Sequence, residues 1–130
     1  MNPDVAIVLE GTPADDMFAH PDFVQAGLRR GPQIRHMDQS VLSNPRFVRF
    51  AIEVARKKKI KFQEAVRSSG GTNSGVITLN NQSVPTIILG VPVRYIHSHN
   101  CVATMEDFNA TVKWCSEILK ALNQKVINGF

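Results

Sequence analysis

Pro85-Thr86-Ile87-Ile88-Leu89-Gly90-Val91 is a short apolar run, opened by a proline and broken only by a glycine. A run of this length, apolar on both faces, reads as a strand buried on both sides. A second run, Asp4-Val5-Ala6-Ile7-Val8-Leu9-Glu10, has the same character and ends on an acid. Two half-exposed strands are predicted by alternation, at Gln33-Ile34-Arg35-His36-Met37 and Lys61-Phe62-Gln63-Glu64-Ala65-Val66.

Helices separate these strands. Asn44 followed by Pro45 is a cap and first-turn pair, and Phe47, Phe50, Ala51, Val54 and Ala55 recur behind it at helical spacing. The cluster Arg56-Lys57-Lys58-Lys59 closes that helix, where the helix dipole favours cations. A short helix is predicted after the turn Ser68-Ser69-Gly70-Gly71-Thr72-Asn73-Ser74-Gly75, to about Leu79. Thr104-x-x-Asp107 opens the last helix in the manner of a capping box. Met105, Phe108, Val112, Cys115, Ile118, Leu119, Leu122 and Val126 recur along it as the face expected to pack on the sheet. Alternating strands and helices predict an α/β fold, a sheet covered by helices.

Composition narrows the function classes. The chain has 130 residues, enough for one domain with its own core, and 43% hydrophobic against 20% charged residues argues against disorder. No apolar run approaches the roughly 18 residues of a membrane span. Met1-Asn2-Pro3-Asp4 lacks the layout of a secretory leader, and two cysteines, Cys101 and Cys115, make no disulfide framework. These readings predict a cytoplasmic protein without a membrane partner. The net charge is +4, but its densest cluster sits on a helix end and the phenylalanines lie on periodic segments, so no nucleic-acid partner is expected.

Three segments follow strands at the positions where open α/β sheets bind ligands. They are Leu9-Glu10-Gly11-Thr12, the turn at residues 70–75, and Gly90-Val91-Pro92-Val93-Arg94-Tyr95-Ile96-His97-Ser98. Glu10 ends a buried strand, where an unpaired carboxylate is costly. Read alone, it is either a structural ion pair or a ligand, and the same choice applies to His97. Residues 11–32 form an unusually long connection, the kind that often serves function. The glycine-rich turn lacks phosphate-cradle spacing, and Ser69, Ser74 and Ser98 lack a nucleophile-elbow context.

Together these segments resemble the dinuclear-metal aminopeptidases of the tetrahedral and glutamyl aminopeptidase type, some members of which are labelled cellulase or endoglucanase. Residues 5–12 with Asp16 resemble that family's first signature. Gly70-Gly71-Thr72-Asn73-Ser74-Gly75 resembles its Gly-Gly-Thr-Asp-Ala-Gly turn, with Asn73 and Ser74 as departures. Residues 90–98 resemble its Gly-Val-Pro-x-Arg-Tyr-x-His-Ser stretch. The resemblance implies a three-layer sandwich with a mixed sheet, zinc-peptidase-like and truncated at its N-terminal side. It implies that residues 1–130 are the C-terminal portion of the catalytic domain.

By the same resemblance, Glu10 and His97 are metal ligands serving different ions of a zinc or cobalt pair. Gly70, Gly71, Thr72 and Arg94 are substrate-binding positions, and the substrate is a peptide. The family's general base, bridging ligand and remaining ligands would precede Asp4, so no catalytic residue is assigned within this chain. The implied function is hydrolysis of N-terminal residues by the full-length relatives, with the isolated chain inactive. The alternative is a non-catalytic binding or assembly module derived from such an enzyme. A sheet deprived of neighbouring strands exposes an edge and apolar surface, which predicts a homo-oligomer.

Overall fold

The computed structural model describes residues 3–80 and 83–130; Met1 and Asn2, read above as the start of the chain, lie outside them. Strand β1 (Ala6–Pro13) is followed by a long connection with one 3-10 turn at Pro21–Phe23. Then come β2 (Gln33–Met37), α1 (Pro45–Lys57), β3 (Gln63–Val66), the short α2 (Ser74–Thr78), β4 (Thr86–Val93), α3 (Met105–Ala121) and α4 (Gln124–Ile127). The four strands form a mixed sheet in the order β1-β4-β2-β3. β1 runs parallel to β4 and β2 parallel to β3, while β2 and β4 are antiparallel. This is the α/β architecture with a mixed sheet expected from the sequence.

β1 begins later than the apolar run suggested and continues through Gly11-Thr12-Pro13. The reason is cross-strand pairing: β4 offers partners as far as Val93, opposite Pro13. Register divides the sheet into two chemically distinct faces. Ile87 and Leu89 of β4 and Ile34 of β2 join the main core under α1 and α3. The alternate residues, Glu10, Thr12, Ile88, Gly90, Gln33 and Arg35, share the opposite face, where polar side chains concentrate.

α1 begins as its sequence dictates. The Asn44 side chain accepts hydrogen bonds from the amides of Arg46 and Phe47, and Pro45 occupies the first turn. The Asn44 amide group also donates to the Phe130 carbonyl, and Phe130 stacks on Phe47 with centroids 4.6 Å apart, so the C-terminus is tied to this cap. Beyond the helix end, Lys58 reaches Glu117 of α3 at 2.7 Å, and Lys120 flanks the same carboxylate at 2.8 Å. Hydrogen bonds from Lys120 and Lys58 draw the Glu117 pKa down to about 2.

α3 corrects the expected packing face. Its buried line is Asp107, Thr111, Trp114 and Ile118, whereas Met105, Phe108, Val112 and Leu119 are exposed. The two stripes are rotated by about 100° on the helix. The core selects the one carrying Trp114, which fills the space between α1 and Phe62. The Trp114 ring nitrogen donates to the Ala51 carbonyl at 2.8 Å, and its ring lies 5.3 Å from that of Phe62. Trp114→Phe should cost about 1–2 kcal/mol through the lost hydrogen bond and residual void. Urea unfolding with an unchanged m-value checks this.

Candidate metal and substrate site

The β1–β4 register brings Glu10 level with Gly90, and β4 then leads into the turn bearing His97. Glu10 and His97 line one cavity of about 130 Å³, together with Arg35, Arg67, Gly70, Gly71 and Thr72. Sequence reading placed Glu10, the residues of the glycine turn and His97 in three separate segments; the sheet and its loops gather them. Arg94 is not on that cavity wall.

Glu10 is held without a strong partner. Its Oε1 is buried and makes no hydrogen bond, and the nearest cation, Arg35 Nη1, stands 3.9 Å away. Burial pushes its carboxyl pKa up, Arg35 pulls it back, and the neighbouring Asp38 charge raises it further. A carboxylate within a strand, kept near positive charge yet left unsatisfied, is a poor structural choice. Replacing it with a neutral amide should therefore stabilise the metal-free chain. We expect Glu10→Gln to gain about 0.5–1 kcal/mol at pH 7. The sign follows from linkage. With the folded pKa raised, the unfolded carboxyl ionises first as pH climbs past 4.5, so wild-type stability falls there while the amide is unaffected. The two proteins should have equal stability at pH 3 and diverge above pH 5 in thermal melts; no divergence would mean that Glu10 is satisfied after all.

His97 sits in a turn of unusual backbone. Both Tyr95 and His97 adopt left-handed φ, at 59° and 66°. Such conformations are unfavourable for non-glycine residues and persist where the surroundings enforce them. Here the Ser98 hydroxyl proton lies between the carbonyls of Tyr95, 2.6 Å away, and Asn100, 3.0 Å away, and the Arg94 and Val102 backbones bond to each other. The His97 ring is exposed on the cavity rim.

Arg94 grips the long connection between β1 and β2. Its guanidinium donates to both oxygens of Asp16, at 2.9 and 2.8 Å. Those bonds, opposed by some burial, hold the Asp16 carboxyl below the usual range. The Asp16 and Arg94 positions, quoted separately from two motifs, thus meet in space.

The glycine turn has a mixed rationale. Gly70 needs its left-handed φ of 73°, and its carbonyl accepts from Gln39. Gly75 is needed for proximity instead: an added Cβ would stand 2.8 Å from Ser40 Oγ and 2.9 Å from its Cβ. Ser40 is itself fixed by Asp38, whose Oδ1 accepts from the Ser40 amide and hydroxyl and from the Val41 amide. Burial works against ionisation of Asp38, but hydrogen bonds from Ser40, Thr72 and Arg35 hold its pKa down overall.

Arg35, Asp38 and Arg67 went unread in the sequence. Arg35 and Asp38 form a buried pair at 3.3 Å, and Arg67 Nη1 contacts Asp15 at 2.6 Å. The Nε atoms of Arg35 and Arg67 are buried and unpartnered, and both side chains line the cavity. The cavity wall is therefore cationic around one underpaired carboxylate. Glu10 and His97 are chemically suited to a divalent ion, one through oxygen and one through nitrogen. They are two donors only: among the described residues no group of three or more His, Cys, Asp or Glu gathers around one point. Also among the described residues, no helix is long and apolar enough to cross a membrane.

Comparison with known proteins agrees with this geometry. The family model described as M42 glutamyl aminopeptidase matches residues 1–114. The glutamyl aminopeptidase of Lactococcus lactis is 30% identical over 126 residues, which cover 97% of this chain and 34% of that protein. The lysyl aminopeptidase of Pyrococcus furiosus is 32% identical over 123 residues, 94% of this chain and 34% of that protein. Among solved structures, the TET aminopeptidase from a marine sediment Thaumarchaeota archaeon superposes with a TM-score of 0.94 at 31% identity, over 98% of this chain and 36% of that one. The Pyrococcus horikoshii TET1 peptidase, described as assembling into a tetrahedron or a large octahedral shell, superposes with a TM-score of 0.69 at 25% identity, over 88% of this chain and 32% of that one. The chain thus spans about a third of the length of these relatives.

Proposed function

Because the chain belongs to the M42 glutamyl aminopeptidase family, we propose that residues 1–130 are the C-terminal portion of a metal-dependent aminopeptidase catalytic domain. The whole domain would release N-terminal residues from peptides. The observation that carries this reading is the buried, unpartnered Glu10 Oε1 on the same cavity wall as His97. Glu10 and His97 would each hold one ion of a zinc or cobalt pair. Such a pair, when bound, polarises a carbonyl and supplies an acidified water. The Arg35 charge, 3.9 Å away, works against the burial of the Glu10 carboxyl and favours the ionised form that a metal ion takes. Gly70, Gly71 and Thr72 would let the substrate backbone approach closely. Arg94 would act as a positioning residue, fixing the turn that presents His97 by its grip on Asp16.

Two donors fall short of the three protein ligands that a catalytic zinc usually has. The isolated chain is therefore inactive, and its missing donors and general base belong to the rest of the domain. A second reading, a non-catalytic binding module, is favoured by the exposed stripe of α3. Cytoplasmic location and homo-oligomeric assembly are part of the proposal. The second draws on the TET1 relative and on exposed Phe18 and Phe23.

Calorimetric zinc titration of the wild type, Glu10→Ala and His97→Ala tests the site. Weak wild-type binding, reduced at least about tenfold in each variant, is expected. Equal binding in all three would sink the assignment and leave the binding-module reading. In parallel, aminoacyl-nitroanilides with added zinc or cobalt should show no turnover, and robust hydrolysis would refute the inactivity.

A further inference from the structure

The basic cluster at the end of α1 does not behave as one unit. Arg56 and Lys57 lie in the last turn of the helix, and Lys58 is tied to Glu117 at 2.7 Å. Lys59 stands one residue past the cap, with a left-handed φ of 53°. The Ile60 amide donates to the Ala55 carbonyl and the Lys59 amide to the Arg56 carbonyl. This is the pattern of a helix stop whose left-handed position normally belongs to glycine. A lysine there is kept against the preference of the backbone.

Its surroundings give the lysine a use. A cavity of about 190 Å³ opens between this helix stop and α3, lined by Lys59, Ile60 and Lys61 on one side and by Glu106, Ala110 and Lys113 on the other. Among the described residues the lysines paired with carboxylates are Lys58 and Lys120, both on Glu117. Lys59, Lys61 and Lys113 therefore keep their charges unneutralised on one wall, where they repel one another until a counter-charge arrives. Two acids share that wall. Asp107 is fully buried, and its oxygens are taken by the Arg29 and Gly31 amides and the Thr104 hydroxyl. Glu106 is exposed and opposes an anion. The Lys61 amide makes no hydrogen bond among the described residues and adds a backbone donor.

We infer that this cavity binds a compact inorganic polyphosphate, of which pyrophosphate is the simplest. Size argues for a small ion: the cavity lies below the roughly 300–1,000 Å³ of sites for drug-sized ligands. Donor type argues for phosphoryl oxygens. Lysines supply point charges, whereas no arginine fork lines the wall to match a planar carboxylate. The site is separate from the cavity holding Glu10 and His97, with which it shares no lining residue. It also opens away from the exposed apolar stripe of α3, because Ala110 and Val112 stand about 200° apart around the helix.

Calorimetric titration of the metal-free chain with sodium pyrophosphate, at constant ionic strength, tests the assignment. Saturable one-to-one binding is expected, with amide shifts centred on residues 31, 59–61 and 106–113. Lys61→Gln and Lys113→Gln, both at exposed positions, should each weaken binding about threefold or more, and Glu106→Gln should tighten it. Lys125→Gln on α4 makes the same charge change elsewhere and should leave affinity within about twofold. Lys59→Gly separates backbone from charge: the melting temperature should rise while pyrophosphate affinity falls about threefold or more. A merely structural lysine would move the first and not the second. No saturable binding up to about 10 mM would overturn the inference, as would equal weakening by Lys125→Gln. Citrate binding as tightly at the same ionic strength would remove the phosphate class. A single-stranded DNA oligonucleotide that displaces pyrophosphate at lower concentration would give the surface to nucleic acid and overturn the small-ion reading.

Discussion

Gly90→Ala should destabilise the fold by about 3 kcal/mol or more, at the upper end of overpacking costs. Gly90 lies at the centre of the buried strand, opposite Glu10 on one side and Gln33 on the other. A Cβ built there falls within the Thr12 side chain, 2.7 Å from its Cβ and nearer still to its outer atoms. Thr12 is fully buried and cannot rotate into solvent. Its hydroxyl is also turned toward the Val91 carbonyl. Relief requires the edge strand β1 to move off β4, and Glu10 moves with it. The variant should therefore lose stability and zinc affinity together. Thr12→Gly in the Gly90→Ala background should recover at least half of the loss, because the clash is pairwise. Urea denaturation of the four proteins forms the cycle. A Gly90→Ala chain within about 1 kcal/mol of the wild type would show that the strands do not approach so closely.

That glycine also shows what can be read locally. The apolar run around it identifies a buried strand, but the reason for Gly90 is a threonine far away in sequence. Asn44-Pro45 was legible because a cap and its first turn are one local unit, and the observed bonds to Arg46 and Phe47 are local. α3 was legible as a helix and misread as a surface. Its core line includes Asp107 and Thr111, polar residues that a hydrophobic count passes over. Arg35 and Asp38 are a local pair three residues apart that strand alternation passed over, whereas Arg67 carries no local signal. Arg67 meets its partner Asp15 across fifty-two positions of chain, and only the folded sheet makes that pair. Glu10 and His97 emerged through the motifs around them. Strand periodicity alone could not separate an underpaired carboxylate from a satisfied one.

Asp107→Ala should cost about 3 kcal/mol and loosen a region remote from the substitution. Asp107 is fully buried at the start of α3. The Thr104 hydroxyl caps the Asp107 amide at 3.1 Å, as the Thr-x-x-Asp pattern predicted. The carboxylate, however, turns outward to the long connection, accepting from the Arg29 amide at 2.8 Å and the Gly31 amide at 2.9 Å. Removing it strands two amides, and each costs about 1–3 kcal/mol if left unpaired. Gly31 has little room to adjust: its φ is left-handed at 92°, and a Cβ built on it would fall 2.3 Å from the Lys61 carbonyl oxygen. The consequence travels along a defined path. Leu28, next to Arg29, donates to Asp16, and Asp16 holds Arg94 at the base of the His97 turn. We expect amide exchange at residues 28–31 to quicken at least tenfold, with a smaller increase at 94–98. Asp107→Asn keeps one acceptor and should retain most of the stability and the slower exchange. If Asp107→Ala loosened residues 28–31 but left 94–98 unchanged, the Asp16–Arg94 pair would not be the link that positions His97.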